Sequence, residues 1–113
     1  MNKQSHLYEG MYILNAQITE DAQVKAFEKI KEGILKYEGK IIKIHDLGKR
    51  RLAYRIDNHR EGHYYLMYFE LNPASIAELW TEYRLHENLV RFMTKQADKV
   101  LDELKFKQLP EQS

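Results

Sequence analysis

Hydrophobic positions in the first third of the chain change from a strand pattern to a helix pattern. Residues 8–14 are largely apolar in both alternating registers, as is typical of an inner strand that is covered on both faces. Thr19 is followed by two acidic residues, which is typical of a helix N-terminus. Apolar residues then recur every three or four positions up to Tyr37. The pattern predicts a strand, a turn and an amphipathic helix that ends with Gly39 in the left-handed conformation.

The rest of the chain repeats this alternation of strands and helices. β-branched and alternating residues predict one long strand over 40–56, bent or bulged near Gly48. The polar residues 57–62 predict a hairpin turn. Asn72 followed by Pro73 predicts the start of a second helix, because Pro is favoured at the first helical position. The other strands are predicted at 63–71 and 87–94.

The element order is therefore β-α-β-β-α-β, which is the split βαβ arrangement. Because crossover connections are right-handed, both helices are expected on one face of a four-stranded antiparallel sheet, with the first and third strands in its centre. We predict a single α+β domain of the ferredoxin-like class over residues 1–96. Residues 97–113 are expected to form a C-terminal extension that is a weak helix or disordered.

This topology leaves one face of the sheet without helices. The third strand carries large side chains in both registers, so one set must point away from the helices. An aromatic face of this kind is expected to pack on a partner or to stack on bases. The two sets are Tyr64, Leu66 and Tyr68, and Tyr65, Met67 and Phe69.

Length and composition exclude several classes of protein. A chain of 113 residues is typical of one domain. The lack of cysteine excludes a disulfide scaffold, a zinc ribbon, a thiolate nucleophile and a cysteine-held iron–sulfur cluster. The apolar run 64–69 is far shorter than the ~20 residues of a membrane span, and the first ten residues contain no signal-peptide core. We therefore expect a soluble, cytoplasmic protein that does not contact a membrane.

Charge is nearly balanced overall but not locally. The chain has 18 basic and 17 acidic residues, which argues against a general polyanion binder. Residues 40–63 contain seven basic and three acidic residues, so this segment carries +4 and the remainder −3. A basic strip on a neutral body indicates either one directed anionic contact or a solvated hairpin, and both interpretations stay open.

No arrangement of residues predicts catalysis. The histidines fall in turns or at strand edges, without a glycine-rich, Ser-His-Asp or metal-ligand pattern. His59 and His63 have a spacing that binds metal on a helix, but they span a predicted turn. We expect no metal, no cofactor and no small-molecule substrate. A cofactor-free dimeric enzyme of the ferredoxin-like type remains an alternative.

An RNA-recognition motif is a second alternative, because it shares the topology and has an aromatic third strand. Its third strand carries a basic residue, a glycine, an aromatic, a small residue and another aromatic. Here Glu61 replaces the basic residue and Tyr64 the small one. The sequence therefore gives base stacking on this strand little support.

The most specific segment is Gly48-Lys49-Arg50-Arg51-Leu52-Ala53-Tyr54-Arg55-Ile56. Its glycine permits a bend, its basic triad projects into solvent, and its apolar end resumes a strand that can accept another polypeptide. It resembles the signature of the bacterial small-subunit ribosomal protein six family. The resemblance extends in order from residue 8 to about residue 96, through Tyr8-Glu9, Glu38-Gly39-Lys40-Ile41, Asp46-Leu47-Gly48, Gly62-His63-Tyr64-Tyr65-Leu66-Met67, Pro73, Arg84-Leu85 and Glu87-Asn88-Leu89-Val90-Arg91.

The resemblance implies a structural protein of the small ribosomal subunit that is not an enzyme. It implies pairing with ribosomal protein eighteen and joint binding to the central domain of 16S ribosomal RNA. The family usually has proline at Arg55 and a basic or small residue at Asp57, so the partner contact there is expected to differ in detail. On this basis we expect RNA contacts from Lys3, His6, Arg50, Arg51, Arg91 and Lys95, and partner contacts from Leu47, Leu52, Tyr54, Arg55, Ile56, Tyr64, Leu66 and Tyr68.

Overall fold

The structure is a computed structural model that describes residues 5–56 and 59–102, with the backbone alone for 53–56. In this part of the chain the elements follow the predicted β-α-β-β-α-β order, with one short 3-10 turn before the second helix. Their bounds are β1 (His6–Asn15), α1 (Glu20–Lys36), β2 (Lys40–Ile56), β3 (His59–Leu71), the 3-10 turn (Pro73–Ser75), α2 (Ile76–Arg84) and β4 (Leu89–Gln96).

The four strands form one antiparallel sheet in the order β2-β3-β1-β4. The predicted fold class is confirmed, and β1 and β3 occupy the centre of the sheet as the sequence predicts. Strands β2 and β4 form its two edges. Both helices pack on the same face, and the buried side chains Tyr12, Met67 and Phe69 lie beneath them.

The predicted starts of both helices are confirmed by their capping hydrogen bonds. The Ala22 amide donates to the Thr19 hydroxyl at 3.1 Å, and the Ala74 amide donates to the Asn72 side chain at 2.9 Å. These side-chain oxygens accept from amides that have no partner within the helix. The second helix differs from the prediction in one respect, because the turn after Pro73 is 3-10 before the α-helix begins at Ile76.

The predicted role of Gly39 at the end of α1 is wrong. Glu38 adopts the left-handed conformation, with φ of 64°, and the Gly39 amide donates to the Ile34 carbonyl at 2.9 Å. Gly39 is needed for space instead. A Cβ at Gly39 would lie 2.7 Å from Ile34 Cγ2 and 2.8 Å from the Glu70 carbonyl oxygen.

Strands β2 and β3 form a long hairpin that is irregular along β2. Strand β3 begins at His59, four residues earlier than predicted, because backbone pairing continues through the polar residues before His63. The register of β2 shifts between Ile41 and Lys43, and again between Asp46 and Gly48. Gly48 has a φ of 78°, which explains the glycine at the predicted bend. The residues that join the two strands lie outside the described ranges, so the predicted turn is only partly covered.

The chain buries a hydrophobic cluster on each face of the sheet. The larger one lies between the sheet and the helices and includes Tyr12, Phe27 and Ile34. The smaller one lies on the helix-free face, where Met11, Ile13, Leu52, Tyr64, Leu66 and Tyr68 are buried. Of the two sets on β3 that the sequence leaves open, Tyr64, Leu66 and Tyr68 therefore point away from the helices.

Residues 97–102 follow an extended path with bends, where the sequence predicts weak helix or disorder. Ala97, Val100 and Leu101 pack against the smaller cluster. The spaced apolar residues that suggest a helix here contact the sheet instead. Residues 103–113, the rest of this prediction, lie outside the described residues.

The described helices are too short and too polar for any of them to cross a membrane.

The two helices are linked through Glu82 on α2, which accepts hydrogen bonds from the Tyr37 hydroxyl and from Lys36 Nζ, the latter at 2.9 Å. The Tyr37 hydrogen bond, followed by that of Lys36, lowers the pKa of Glu82.

Replacing Glu38 by glycine is expected to stabilise the protein. A left-handed conformation costs an L-residue about 1–2 kcal/mol, and glycine avoids most of that cost. We expect Glu38→Gly to raise the free energy of unfolding by about 0.5–1 kcal/mol in urea denaturation. The matched control is Glu32→Gly, at an exposed position within α1, which should lower it by about 1 kcal/mol. Destabilisation by both variants would contradict this account of the helix end.

Candidate interaction surfaces

The structure brings five of the predicted partner-binding residues together on the helix-free face. Leu52, Tyr64, Leu66 and Tyr68 are buried in one cluster, and Leu47 packs against it. Only 1% of the surface of Leu66 and of Tyr68 is exposed, and 2% of that of Tyr64. These side chains are contiguous, as a docking surface requires, but they are not open to solvent in the free chain. They also offer no open platform on which bases stack.

The cover of this face is a segment that we call the strap, residues 97–101. The Ala97 amide donates to the Leu7 carbonyl on β1 at 2.9 Å. At its other end the Leu101 carbonyl is hydrogen-bonded to His45 Nε2 on β2, at 2.8 Å. The strap therefore crosses the sheet from the end of β4 towards the opposite edge. The partner-contact prediction from the sequence did not include it.

Tyr68 lies beneath the strap and contacts polar groups on both sides. Burial is the main cause that raises the pKa of Tyr68, and the nearby Glu9 carboxylate raises it further, while a hydrogen bond to the Leu101 backbone opposes both. The Tyr68 hydroxyl lies 3.4 Å from Glu9 Oε2, and Lys95 Nζ lies 3.6 Å from Glu9 Oε1. The residues Tyr68, Glu9 and Lys95 thus form a polar row beside the apolar cluster.

A cavity of about 230 Å³ opens next to this row, near the β4 edge. Its floor is apolar, and Glu9 and Lys95 are the charged residues among its lining. The lining residues are Glu9, Met11, Leu66, Met93, Thr94 and Lys95.

The β2 edge presents apolar side chains that are open to solvent. Ile42 and Ile44 keep 37% and 36% of their surface exposed, on a strand that has no neighbour on its outer side within the described residues. Edge strands expose unpaired backbone groups and are ready sites for another polypeptide. The sequence places this strand at the edge but does not identify these two isoleucines as its exposed apolar residues. Their β-branched pattern at an edge is the signal that was available.

The predicted RNA-contacting cations do not converge on one site. Cα pairing places Gly48, Tyr64, Ile13 and Arg91 in one row across the sheet. Arg50 lies two residues beyond Gly48 on β2, so it and Arg91 are at opposite edges, about 14 Å apart across three strand spacings. Arg50 Nε donates to the Leu47 carbonyl at 3.2 Å, which folds its side chain back over the bulge, while Arg51 is exposed.

The remaining described RNA candidates lie at the far end of the sheet. His6 Nδ1 contacts Gln96 Nε2 at 2.8 Å, and the His6 ring stacks on Tyr8 with centroids 6.5 Å apart. Lys95 lies one residue before Gln96 and contacts Glu9. His6 and Lys95 therefore lie at the same end of the sheet but on opposite faces, because His6 stacks on Tyr8 of the helix side and Lys95 contacts Glu9 on the helix-free side. Arg50 and Arg51 are neighbours on β2, and Arg91 lies apart from both groups.

Some predicted site residues fall outside the described part of the structure. Lys3 and Asp57 lie outside the described residues, and so do the side chains of Tyr54, Arg55 and Ile56, whose backbone continues β2. The predicted RNA contact of Lys3 and the partner contacts of these three residues stay predictions. The predicted effect of the Arg55 and Asp57 departures also stays a prediction.

His63, one of the two histidines that raised the question of a metal, contacts a carboxylate and an aromatic ring. His63 Nε2 lies 2.7 Å from Asp46 Oδ1, and its ring stacks on Tyr65 with centroids 4.7 Å apart. Among residues 5–56 and 59–102, no group of three His, Cys, Asp or Glu side chains is arranged to hold a metal ion.

Comparison with known proteins identifies the family to which the chain belongs. The family model described as ribosomal protein S6 matches residues 7–96, which is the whole of the sheet and both helices. The chain belongs to the ribosomal protein S6 family. It is a structural protein of the small ribosomal subunit rather than an enzyme, and it is located in the ribosomes of the bacterial cytoplasm. The family named from the sequence motifs is confirmed.

Individual members of the S6 family match over nearly the full chain. The chain is 49% identical to the small ribosomal subunit protein bS6 of Protochlamydia amoebophila, over 97% of this chain and 96% of the relative. It is 51% identical to the protein of the same name from Chlamydia caviae, over 96% and 97% of the two chains. These matches include the strap as well as the domain.

A solved S6 structure has the same fold. The crystal structure of the 30S ribosomal protein S6 from Thermotoga maritima matches with a TM-score of 0.78 and 30% identity, over 82% of this chain and 88% of that one. The C-terminal domain of the MgtC protein from Mycobacterium tuberculosis matches with a TM-score of 0.58 at 11% identity, which shows a shared fold alone.

The burial of Leu66 predicts a large loss of stability when its side chain is shortened. We expect Leu66→Ala to lower the free energy of unfolding by about 2–5 kcal/mol, because it leaves a cavity at the centre of the smaller cluster. The matched variant Ile44→Ala, at a half-open position of β2, should cost about 1 kcal/mol or less. Chemical denaturation of both variants measures the difference. Equal losses would show that the helix-free face is not a true core.

Proposed function

We propose that this protein binds the central domain of 16S ribosomal RNA together with ribosomal protein eighteen, and that the β2 edge is the centre of that assembly. The observation that carries the proposal is the combination of exposed isoleucines, an open strand edge and basic side chains on β2. Membership of the S6 family supports a ribosomal RNA context for these features.

The protein partner is assigned to the β2 edge and the adjoining helix-free face. Ile42 and Ile44 provide exposed apolar contacts, and the outer backbone groups of β2 can pair with an added strand. Leu47 and Leu52 continue the same strand into the smaller cluster. A partner on this edge therefore has access to both polar backbone groups and apolar side chains.

RNA phosphates are assigned to Arg50 and Arg51 at the distal part of β2, to Arg91 and Lys95 on β4, and to His6 at the start of β1. A net charge of +1 gives weak affinity for a polyanion on its own. Lys95 and Lys49 each contact a carboxylate, at 3.6 and 3.7 Å, which reduces their attraction for phosphate. A basic partner that supplies further phosphate contacts accounts for binding that is strong only in the joint complex.

A charge on the β2 edge is expected to prevent pairing without unfolding the protein. We expect Ile44→Asp to weaken binding to ribosomal protein eighteen by about tenfold or more, because it places a carboxylate where an apolar contact is needed. Isothermal titration calorimetry measures the affinity. The matched control is Leu35→Asp on α1, where 56% of the side chain is exposed, and it should bind normally.

Thermal unfolding of the same samples separates loss of binding from loss of folding. If Ile44→Asp is unstable, Ile42→Asp provides a second position on the same edge. Normal affinity of a folded Ile44→Asp or Ile42→Asp variant would rule out the β2 edge as the docking site.

The salt dependence of RNA binding tests the arginine pair on β2. Each phosphate contact contributes about one unit to the slope of log affinity against log salt. We expect the double variant Arg50→Ala/Arg51→Ala to reduce that slope by about two for the complex with a central-domain fragment of 16S RNA. The charge-matched control is Lys25→Ala/Lys29→Ala on the outer side of α1, which should leave the slope unchanged.

Filter binding across a salt series, with and without ribosomal protein eighteen, gives both results. An unchanged slope in the arginine variant would remove these residues from the RNA site. Equally tight binding to short single strands without the partner would favour the RNA-recognition-motif alternative.

A further inference from the structure

The strap occupies the face that the proposed docking of a protein partner uses. Its apolar side chains pack on the cluster that contains Leu66 and Tyr68. Its ends are held by the Ala97 amide on Leu7 and by the Leu101 carbonyl on His45. The helix-free face therefore has an occupant in the free protein, and this occupant belongs to the chain itself.

The strap makes few contacts with the sheet. Its apolar side chains, Ala97, Val100 and Leu101, remain partly exposed, and Asp98 and Lys99 between them point into solvent. It has no helical hydrogen bonds; its first residue continues the pairing of β4 with β1 through the Ala97 amide, and at its other end the Leu101 backbone is hydrogen-bonded to His45 and Tyr68. Segments with few buried contacts and exposed backbone open at low free-energy cost, well below that of global unfolding.

The surface beneath the strap is far more apolar than the strap itself. Opening would expose the part of the cluster around Leu66 and Tyr68, whose side chains are now 1% exposed. Exposed apolar surface of this kind associates with other apolar surfaces. The cavity lined by Met11, Leu66 and Met93 lies on the same face and extends the region available to an incoming side chain.

We propose that the strap is a displaceable cover, which shields the helix-free face in the free protein and is exchanged for an apolar segment of the protein partner. The inference rests on the proposed pairing with ribosomal protein eighteen and assigns a regulatory step to it. The partner binds only the open form. The apparent association constant therefore equals that of the open form multiplied by the fraction of molecules that are open, so closure of the strap lowers it. The same closure keeps the apolar face from associating with other molecules before the partner arrives.

The test uses the full chain with the strap opened by one substitution. Leu101→Asp places a carboxylate against an apolar face, and Lys99→Gln is the control with the same change in charge at an exposed position of the strap. Hydrogen exchange of the Ala97 amide, measured by NMR without the partner, reports whether the strap is open. We expect fast exchange in Leu101→Asp, and slow exchange in Lys99→Gln and in the unmodified protein.

Affinity for ribosomal protein eighteen is then measured for the same three proteins. For a strap that is closed in nine molecules out of ten, Leu101→Asp should bind about tenfold more tightly than the unmodified protein. Lys99→Gln should bind as the unmodified protein does. Addition of the partner to the unmodified protein should accelerate exchange of the Ala97 amide. If Leu101→Asp does not fold, Val100→Asp serves the same purpose.

Two kinds of result would contradict the inference, and each has a different cause. Weaker binding by a folded, strap-open variant, or greater protection of the Ala97 amide in the complex, would show that the strap is part of the interface and would overturn the inference. Loss of binding in all three proteins, including the unmodified one, would instead refute the pairing of the proposed function, and displacement of the strap with it. The two failures are distinguishable because Ala97 exchange is first measured without the partner.

Discussion

Burial of the two central strands on both faces is the constraint on which the rest of this structure depends. On β1 the neighbouring residues Tyr12 and Ile13 point to opposite faces, yet their exposed fractions are 0% and 1%. The same holds for Leu66 and Met67 on β3. A sheet with such strands needs a cover on each side. Two amphipathic helices supply one cover, and the strap with parts of β2 supplies the other.

The two covers differ in how firmly they are held on the sheet, and the less firmly held one lies on the face proposed for interaction. The helix side is closed by the 17-residue helix α1 with its Thr19 cap, by the shorter α2, and by a link between the two through Glu82. The helix-free side is closed by a short, non-helical segment whose hydrogen bonds to the sheet come from its two ends, Ala97 and Leu101. Local opening is therefore much easier on the helix-free side. A protein that must bind another polypeptide on one face benefits from an asymmetric core of this kind.

The sequence predicted most of the architecture because hydrophobic periodicity and capping are local signals. Two apolar registers in residues 8–14 predicted the central position of β1, and Thr19 and Asn72 predicted the helix starts. Gly39 shows the limit of such signals. Its need for space arises from Ile34 in the preceding helix and from Glu70, which is distant in sequence, whereas a helix-end glycine ordinarily indicates a left-handed residue.

The candidate site was less predictable than the fold. Alternation along β3 correctly separated Tyr64, Leu66 and Tyr68 from the other set, but it reveals neither which set lies on the helix-free face nor what covers that face. Apolar spacing at Val100 and Leu101 suits a helix as well as an extended segment, and only the tertiary contact with His45 and the smaller cluster decides between them. The grouping of the cations was also hard to predict. Arg50 and Arg91 lie at opposite edges of the sheet because of the strand order, which their spacing in the sequence does not reveal.

The distribution of charge is consistent with the proposed sharing of RNA binding between this protein and a partner. Cations on β2 and cations at the β4 edge are separated by the full width of the sheet, about 14 Å. At physiological salt the Debye length is about 8 Å, so the two groups act on phosphates almost independently. Each group is small, and the carboxylates of Glu9 and Glu61 contact one lysine in each. Neither group alone neutralises enough phosphates for tight binding, whereas a partner on the β2 edge can extend the group around Arg50 and Arg51 into a continuous basic surface. In the proposed function, protein pairing and RNA affinity are thus coupled through the same strand.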